Sequence, residues 1–119
     1  MTQQSNLSII DVNINQLNAA VYNPRKWNQK QKNDLKQSIK KFGMVDPIVV
    51  NGAKERLNII IGGHFRFEVA KEIGFKTIPV VYVDIPDIER EKELNLRLNK
   101  NIGEFDWDLL KDFDEELLS

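Results

Sequence analysis

The chain has 119 residues, 41% of them hydrophobic, and a net charge of −1, which is the size and balance of one compact domain. It holds no cysteine and one histidine. Disulfides, thiolate catalysis, Cys-ligated zinc and a His-rich metal site are therefore excluded, and only an oxygen-ligand site such as one for magnesium stays open.

In chain order, residues 7–14 are rich in Ile and Val with loose alternation, and predict a strand. Tyr22-Asn23-Pro24-Arg25 is a loop, because a residue before proline is pushed out of the helical region. Residues 28–41 predict a helix with Leu35, Ile39 and Phe42 on one face and Gly43 as its C-cap. Pro47-Ile48-Val49-Val50 is a short buried strand, and Asn51-Gly52 turns the chain toward the apolar run Leu57-Asn58-Ile59-Ile60-Ile61. A helix over residues 65–73 follows, with Phe65, Val69 and Ile73 four apart and Gly74 as its stop. Residues 78–83 are another strand, with Pro79 near its start, where a missing N–H does least harm. Residues 87–101 predict a helix with Leu94, Leu98 and Ile102 on one stripe. Gly103 breaks it, and Asp106 caps a last helix over residues 107–118, with Leu109, Leu110, Phe113 and Leu117 clustered. Strands and helices mix without the alternation of a doubly wound sheet, so the expected class is a small mixed α+β domain with a helical C-terminal third, one domain over residues 1–119.

The most informative segment is Gly62-Gly63-His64-Phe65-Arg66. Strand, paired glycines and helix start together aim backbone amides at an anion. Glycines let the main chain approach a phosphate, and the helix N-terminus adds unpaired N–H groups and partial positive charge. Arg66 adds a forked cationic donor. The same residues also make an ordinary β-to-α turn with a surface His and Arg. His64 reads equally as a phosphate donor or a plain surface residue.

Charge is unevenly spread. Residues 22–43 carry seven basic side chains against Asp34 alone, a balance of +6. Residues 103–119 carry seven acidic ones against Lys111, a balance of −6. The basic stretch reads as a solvated face or as a surface for polyanions. With only Tyr22 and Trp27 among its cations, it is poor for base stacking. The acidic helix reads as a solvated or partner-facing surface, and Trp107 and Phe113 as packing residues. No apolar stretch approaches the ~18 residues of a membrane span. The start, Met1-Thr2-Gln3-Gln4-Ser5-Asn6, is not a signal peptide, so a cytoplasmic location without a membrane partner is expected.

Four segments in order carry a family resemblance. They are Asn23-Pro24-Arg25-Lys26; the stretch from Lys40 through Phe42-Gly43 and Asp46-Pro47-Ile48 to Val50; the stretch from Gly62 to Gly74; and Leu98-Asn99-Lys100-Asn101-Ile102-Gly103-Glu104-Phe105-Asp106. Their order and spacing resemble the ParB/sulfiredoxin-like domain over residues 8–118, most of all the ParB-like domains of phages and mobile elements, often associated with DNA-modification methyltransferases. In partition ParB proteins this fold binds CTP with magnesium and acts as a clamp switch on DNA. The family's Gly-Glu-Arg-Arg phosphate loop corresponds to Gly63-His64-Phe65-Arg66, where Gly63 and Arg66 are retained. Its metal-holding Glu-Asn pair falls on Leu98-Asn99, where the carboxylate is lost and Glu104 is a substitute ligand. Both departures count against CTP hydrolysis. The resemblance places Arg25 near the nucleotide or the DNA-facing edge.

Of two enzymatic relatives of this fold, sulfiredoxin needs a cysteine that this chain lacks. An ADP-dependent serine kinase needs a carboxylate base, for which Glu68 is the candidate. The expected function is a ParB-like nucleotide-binding regulatory module, taking a triphosphate, CTP or ATP, with magnesium and acting with DNA or a DNA-acting protein. The alternatives are a small phosphotransferase or NTPase, and a protein-binding module without nucleotide. The expected nucleotide residues are Gly62, Gly63, His64, Arg66, Asn23, Arg25 and Asn99. The expected magnesium ligands are Asn99 and Glu104, and the expected DNA contacts are Arg25, Lys26, Lys30 and Lys36.

Overall fold

The computed structural model describes residues 8–23 and 27–99, the last of these by its backbone. The expected helix over 107–118, with Trp107 and Phe113, lies outside those residues, as do Arg25, Lys26, Ile102 and Glu104.

Among the described residues, seven strands and α-helices follow one another: β1 (Ile9–Asn13), α1 (Gln29–Phe42), β2 (Ile48–Asn51), β3 (Ile60–Gly62), α2 (His64–Ile73), β4 (Thr77–Val83) and α3 (Ile88–Asn99). The sheet order is β1-β4-β2-β3, with β2 parallel to β4 and the other pairs antiparallel. The class is mixed α+β, as expected. The two-residue period of the strands sorts their side chains into two cores. Ile48, Val50, Ile60, Ile78 and Val80 meet Phe67 and Ala70 of α2 on one face. Val49, Ile61, Val81 and Val83 meet Leu94 and Leu98 of α3 on the other. The central strands are thus apolar on both faces, which is why they read as continuous Ile and Val runs. Pro79 is tolerated inside β4 because the pairing with β2 starts only at Val80.

Several boundaries differ from the sequence expectation, each for a local reason. The first strand stops at Asn13, whose side chain accepts the Asn15 N–H at 2.8 Å and starts a 3-10 turn over Ile14–Gln16. α1 begins after Asn28, and a reciprocal Asn28–Gln31 capping box closes its first turn. On its expected apolar face only Ile39 is buried, while Phe42 is 65% exposed beneath the Lys41 ammonium. α1 packs on α2 rather than on the sheet, so the face it buries is narrow. The apolar run before Gly62 is strand only from Ile60. Asn58 takes a left-handed φ of 68° and turns the chain, its side chain accepting the Tyr82 hydroxyl at 2.7 Å. α2 starts one residue earlier than expected and buries His64, Phe67, Val69 and Ala70, while Phe65 and Ile73 are only half-buried.

α3 is held on the sheet by more than its leucines. Asn95 donates to the Ile61 carbonyl at 2.7 Å. Glu91 is fully buried and accepts four hydrogen bonds. Tyr22 Oη and Arg56 Nη2 reach Oε2 at 2.7 and 2.9 Å, and Asn51 Nδ2 and Arg56 Nε reach Oε1 at 2.7 and 3.0 Å. Asn51, also fully buried, gives its other N–H to the Ile85 carbonyl and accepts the amides of Ala53 and Ile85. Every donor and acceptor of these two side chains is used.

Burial alone would raise the Glu91 carboxyl, but the hydrogen bonds from Arg56, Tyr22 and Asn51 outweigh it and hold the group below the usual carboxylate range. A depressed carboxyl stabilises the fold above its unfolded value, and that contribution is lost as pH falls through the folded one. The urea midpoint should therefore hold steady near neutrality and fall as the pH drops below about 4.3. Glu91→Gln should start from a lower midpoint and decline less steeply over that acid window. An acid limb of unchanged slope in Glu91→Gln would remove Glu91 as its source.

Candidate functional site

The turn between β3 and α2 is shaped by two glycines with different jobs. Gly63 is the N-cap of α2 at φ 92°, ψ 21°, a left-handed conformation that side chains resist. A Cβ there would also lie 2.7 Å from Ile48 Cδ1. Gly62 is needed for space, since a Cβ on it would lie 2.7 Å from Leu98 Cδ1. Gly63 brings no side chain to cap the first turn of α2, so the Phe65 and Arg66 amides are left for a ligand or for water.

His64 is 7% exposed and its Nε2 accepts the Ala20 N–H at 3.1 Å. That corrects the reading of it as a surface residue. An accepting Nε2 places the ring proton on Nδ1. The bond fastens the segment from Leu17 to Asn23 over the turn. Asn18 adds a backbone pairing with β3, through the Asn58 carbonyl at 2.9 Å and the Ile60 amide at 2.8 Å. Asn23 closes a turn onto the Ala20 carbonyl at 3.1 Å. A cavity of about 310 Å³ results, lined by Asn23, Trp27, His64, Phe67, Glu68 and Lys71 with Ala19 and Ala20. Trp27 stacks on Phe65, the centroids 4.6 Å apart and the rings 14° from parallel.

Among the described residues, two buried side-chain atoms have no hydrogen-bond partner, Asn23 Oδ1 and Arg66 Nε. Such orphans cost about 1–3 kcal/mol each unless something meets them. Arg66 lies two residues beyond His64, roughly 200° around the helix, and does not line the cavity.

The structure thus gathers Gly62, Gly63, His64 and Asn23 around one turn, with Arg66 on the helix it opens. Arg25, Glu104 and the Asn99 side chain lie outside the described residues. The expected DNA contacts Lys30 and Lys36 are ion-paired at 3.1 Å, to Asp34 and Glu72. Between them Lys32 reaches Glu68 at 3.3 Å and Glu72 at 3.1 Å. Those bonds raise the Lys32 amine and lower the Glu72 carboxyl from their ordinary values. The carboxylates of α2 therefore offset part of the positive face of α1. Glu68, the candidate base, is taken up in this array.

The described residues do not fit a divalent cation. Leu98, where the resemblance expects a metal-holding carboxylate, packs into the apolar cluster under α3 and against Gly62. Among the described residues no three His, Asp or Glu side chains come together to hold a metal.

Sequence reasoning missed the Glu91 network, although one signal pointed to it. Glu91, Leu94 and Leu98 stand at i, i+3 and i+7 on one face of α3, so a carboxylate sits on the apolar stripe.

Gly62→Ala should destabilise the domain by about 1–3 kcal/mol through its clash with Leu98, and Leu98→Ala should give part of that back in the double variant. Gly63→Ala should lose a similar amount through backbone strain and gain nothing from Leu98→Ala. Urea unfolding of the five variants, the three singles and the two doubles, separates the two causes.

The family model of the ParB N-terminal domain matches residues 1–102. The probable chromosome-partitioning protein ParB of Campylobacter jejuni is 34% identical over 92 residues, covering 76% of this chain. The chain spans 32% of that relative's length. Among solved structures, a C-terminally truncated ParB from Caulobacter crescentus complexed with CTP-gamma-S superposes with a TM-score of 0.67 at 24% identity, covering 93% of this chain and 60% of that one. Sulfiredoxin from Arabidopsis thaliana superposes with a TM-score of 0.58 at 20% identity, covering 66% of this chain and 86% of that one. The fold is therefore that of the ParB/sulfiredoxin group.

Proposed function

The chain belongs to the ParB N-terminal domain family, and from that premise we propose that the β3–α2 turn binds the phosphates of a nucleoside triphosphate, CTP or ATP. The domain then works as a nucleotide-binding regulatory module beside DNA or a DNA-acting partner. One observation carries this reading: the two buried orphan atoms belong to Asn23 and Arg66, both expected nucleotide residues. In this reading a phosphate oxygen meets the Arg66 N–H outside the cavity and a sugar or base donor meets the Asn23 oxygen within it, so the nucleotide spans the turn. The glycine pair lets the polyanion approach the backbone, and the first-turn amides of α2 face it. His64 holds the Ala20–Asn23 turn beside the ligand. Arg25 and Asn99 complete the set. Magnesium enters this reading only through Asn99 and Glu104.

The phosphotransferase alternative has little support, since Glu68 is ion-paired with Lys32 at 3.3 Å. A cytoplasmic setting belongs to the same proposal, as does association with phage or methyltransferase systems. Among the described residues no helix is long and apolar enough to cross a membrane.

Calorimetric titration with CTP, ATP, ADP and GTP, each with and without magnesium, tests the reading. Arg66→Ala should weaken binding roughly ten- to a hundred-fold, the loss of one charge-assisted contact, with its urea midpoint near the parental value. Lys54→Ala, on the exposed turn before β3, should bind normally. A parental chain that binds none of the four would leave the protein-binding alternative standing.

DNA contact through Arg25, Lys26, Lys30 and Lys36 is the weaker half of the proposal, because α2 offsets part of that face. It should show as sequence-independent binding to a duplex that falls steeply as salt is raised, read by fluorescence anisotropy. No binding at low salt, with or without nucleotide, sets that half aside.

A further inference from the structure

We propose that Tyr22 is a positioning residue of the nucleotide site: by donating its hydroxyl to Glu91 it sets the place of Asn23 and makes the buried network under α3 part of the ligand site. This rests on the nucleotide reading above. The Ala20–Asn23 turn is closed by its own backbone bond of 3.1 Å, and Val21 at its apex is 97% exposed. Its shape is therefore local, but its orientation is not. Beyond the Asn18 pairing upstream, two side-chain bonds set that orientation. The Ala20 N–H is given to His64 at 3.1 Å, and the Tyr22 hydroxyl to Glu91 at 2.7 Å. Take the second away and the start of the turn stays held at Asn18 and Ala20, while its Tyr22–Asn23 end loses its tie to α3. Asn23, the residue after Tyr22, then moves with it.

Glu91 does not need Tyr22 to remain satisfied. Arg56 engages both carboxylate oxygens, at 3.0 and 2.9 Å, and Asn51 adds a third bond at 2.7 Å. The hydroxyl thus adds little to holding α3 on the sheet. What it does is join α3 to the turn that carries Asn23 by a direct hydrogen bond. The Lys92 ammonium, 5.7 Å from the Tyr22 ring centre, is a second contact from the same helix. The join also runs the other way, because the same helix sets Leu98 against Gly62. One rigid element therefore touches both sides of the site.

Tyr22→Phe in the full chain separates this from a merely structural role, because the ring and the Arg56–Glu91–Asn51 bonds are kept. Calorimetry with CTP and with ATP should show Kd rising roughly tenfold, while the urea midpoint moves little. Amide hydrogen exchange should quicken at Ala20 and Asn23 and stay unchanged in β2. In an Asn23→Ala background, Tyr22→Phe should add no further loss, since it acts through that side chain. Parental affinity in Tyr22→Phe overturns the inference and leaves the nucleotide reading standing. So do losses that multiply in the double variant. If the parental chain binds neither nucleotide, the inference falls with the reading it rests on.

Discussion

A carboxylate with no access to water has to be met donor by donor, and Glu91 is the residue on which this domain makes that demand. Its four hydrogen bonds come from three residues on separated stretches: Tyr22 before α1, Asn51 at the end of β2, and Arg56 in the turn before β3. Removing Arg56, the charged partner, would cost far more than an ordinary hydrogen bond, because the Glu91 charge would be left behind without solvent. The network therefore fixes the register of α3 over the sheet and draws the Tyr22 turn toward it. An apolar core alone would tolerate several placements of the helix.

The placement of α3 in turn shapes the glycine turn. Leu98 approaches so closely that a side chain at position 62 would have to push its methyl aside, while the left-handed backbone asks for glycine at 63. Two glycines that look like one phosphate motif thus answer two constraints, one from packing and one from chain direction. Their openness to a ligand follows from both, since no side chain caps the amides behind them. Where the family resemblance expects a carboxylate, Leu98 instead completes the apolar cluster with Val49, Ile61 and Leu94. On the nucleotide reading proposed above, neutralising phosphate here would fall to Arg66 and backbone dipoles.

Electrostatics follows the same logic of tertiary pairing. Taken alone, α1 and the loop before it are strongly basic. In the folded domain Lys32 and Lys36 face Glu68 and Glu72 of α2. These pairs are partly exposed, so they add little stability, but they reduce the field that a polyanion would feel. Charge counted along the chain overstates the attraction that the folded surface retains.

By itself the sequence determined the order and kind of the strands and α-helices among the described residues, because strand and helix periodicities, the Asn-Pro break and the glycine stops are local signals. It also determined the glycine–helix junction and the ParB/sulfiredoxin-like class, for four short segments keep their order and spacing along most of the chain. What it did not settle was which residues are inside. Phe42 matched an apolar stripe and stands in water, since α1 packs on a helix and not on the sheet. His64 read as a phosphate donor or a surface residue and is buried on Ala20. Glu91 carried one overlooked sign, its place on the Leu94–Leu98 stripe. Its partners lie 35 to 69 residues away, and only the folded chain brings such distant groups within hydrogen-bond reach, because those contacts depend on strand pairing and helix docking and not on local propensity.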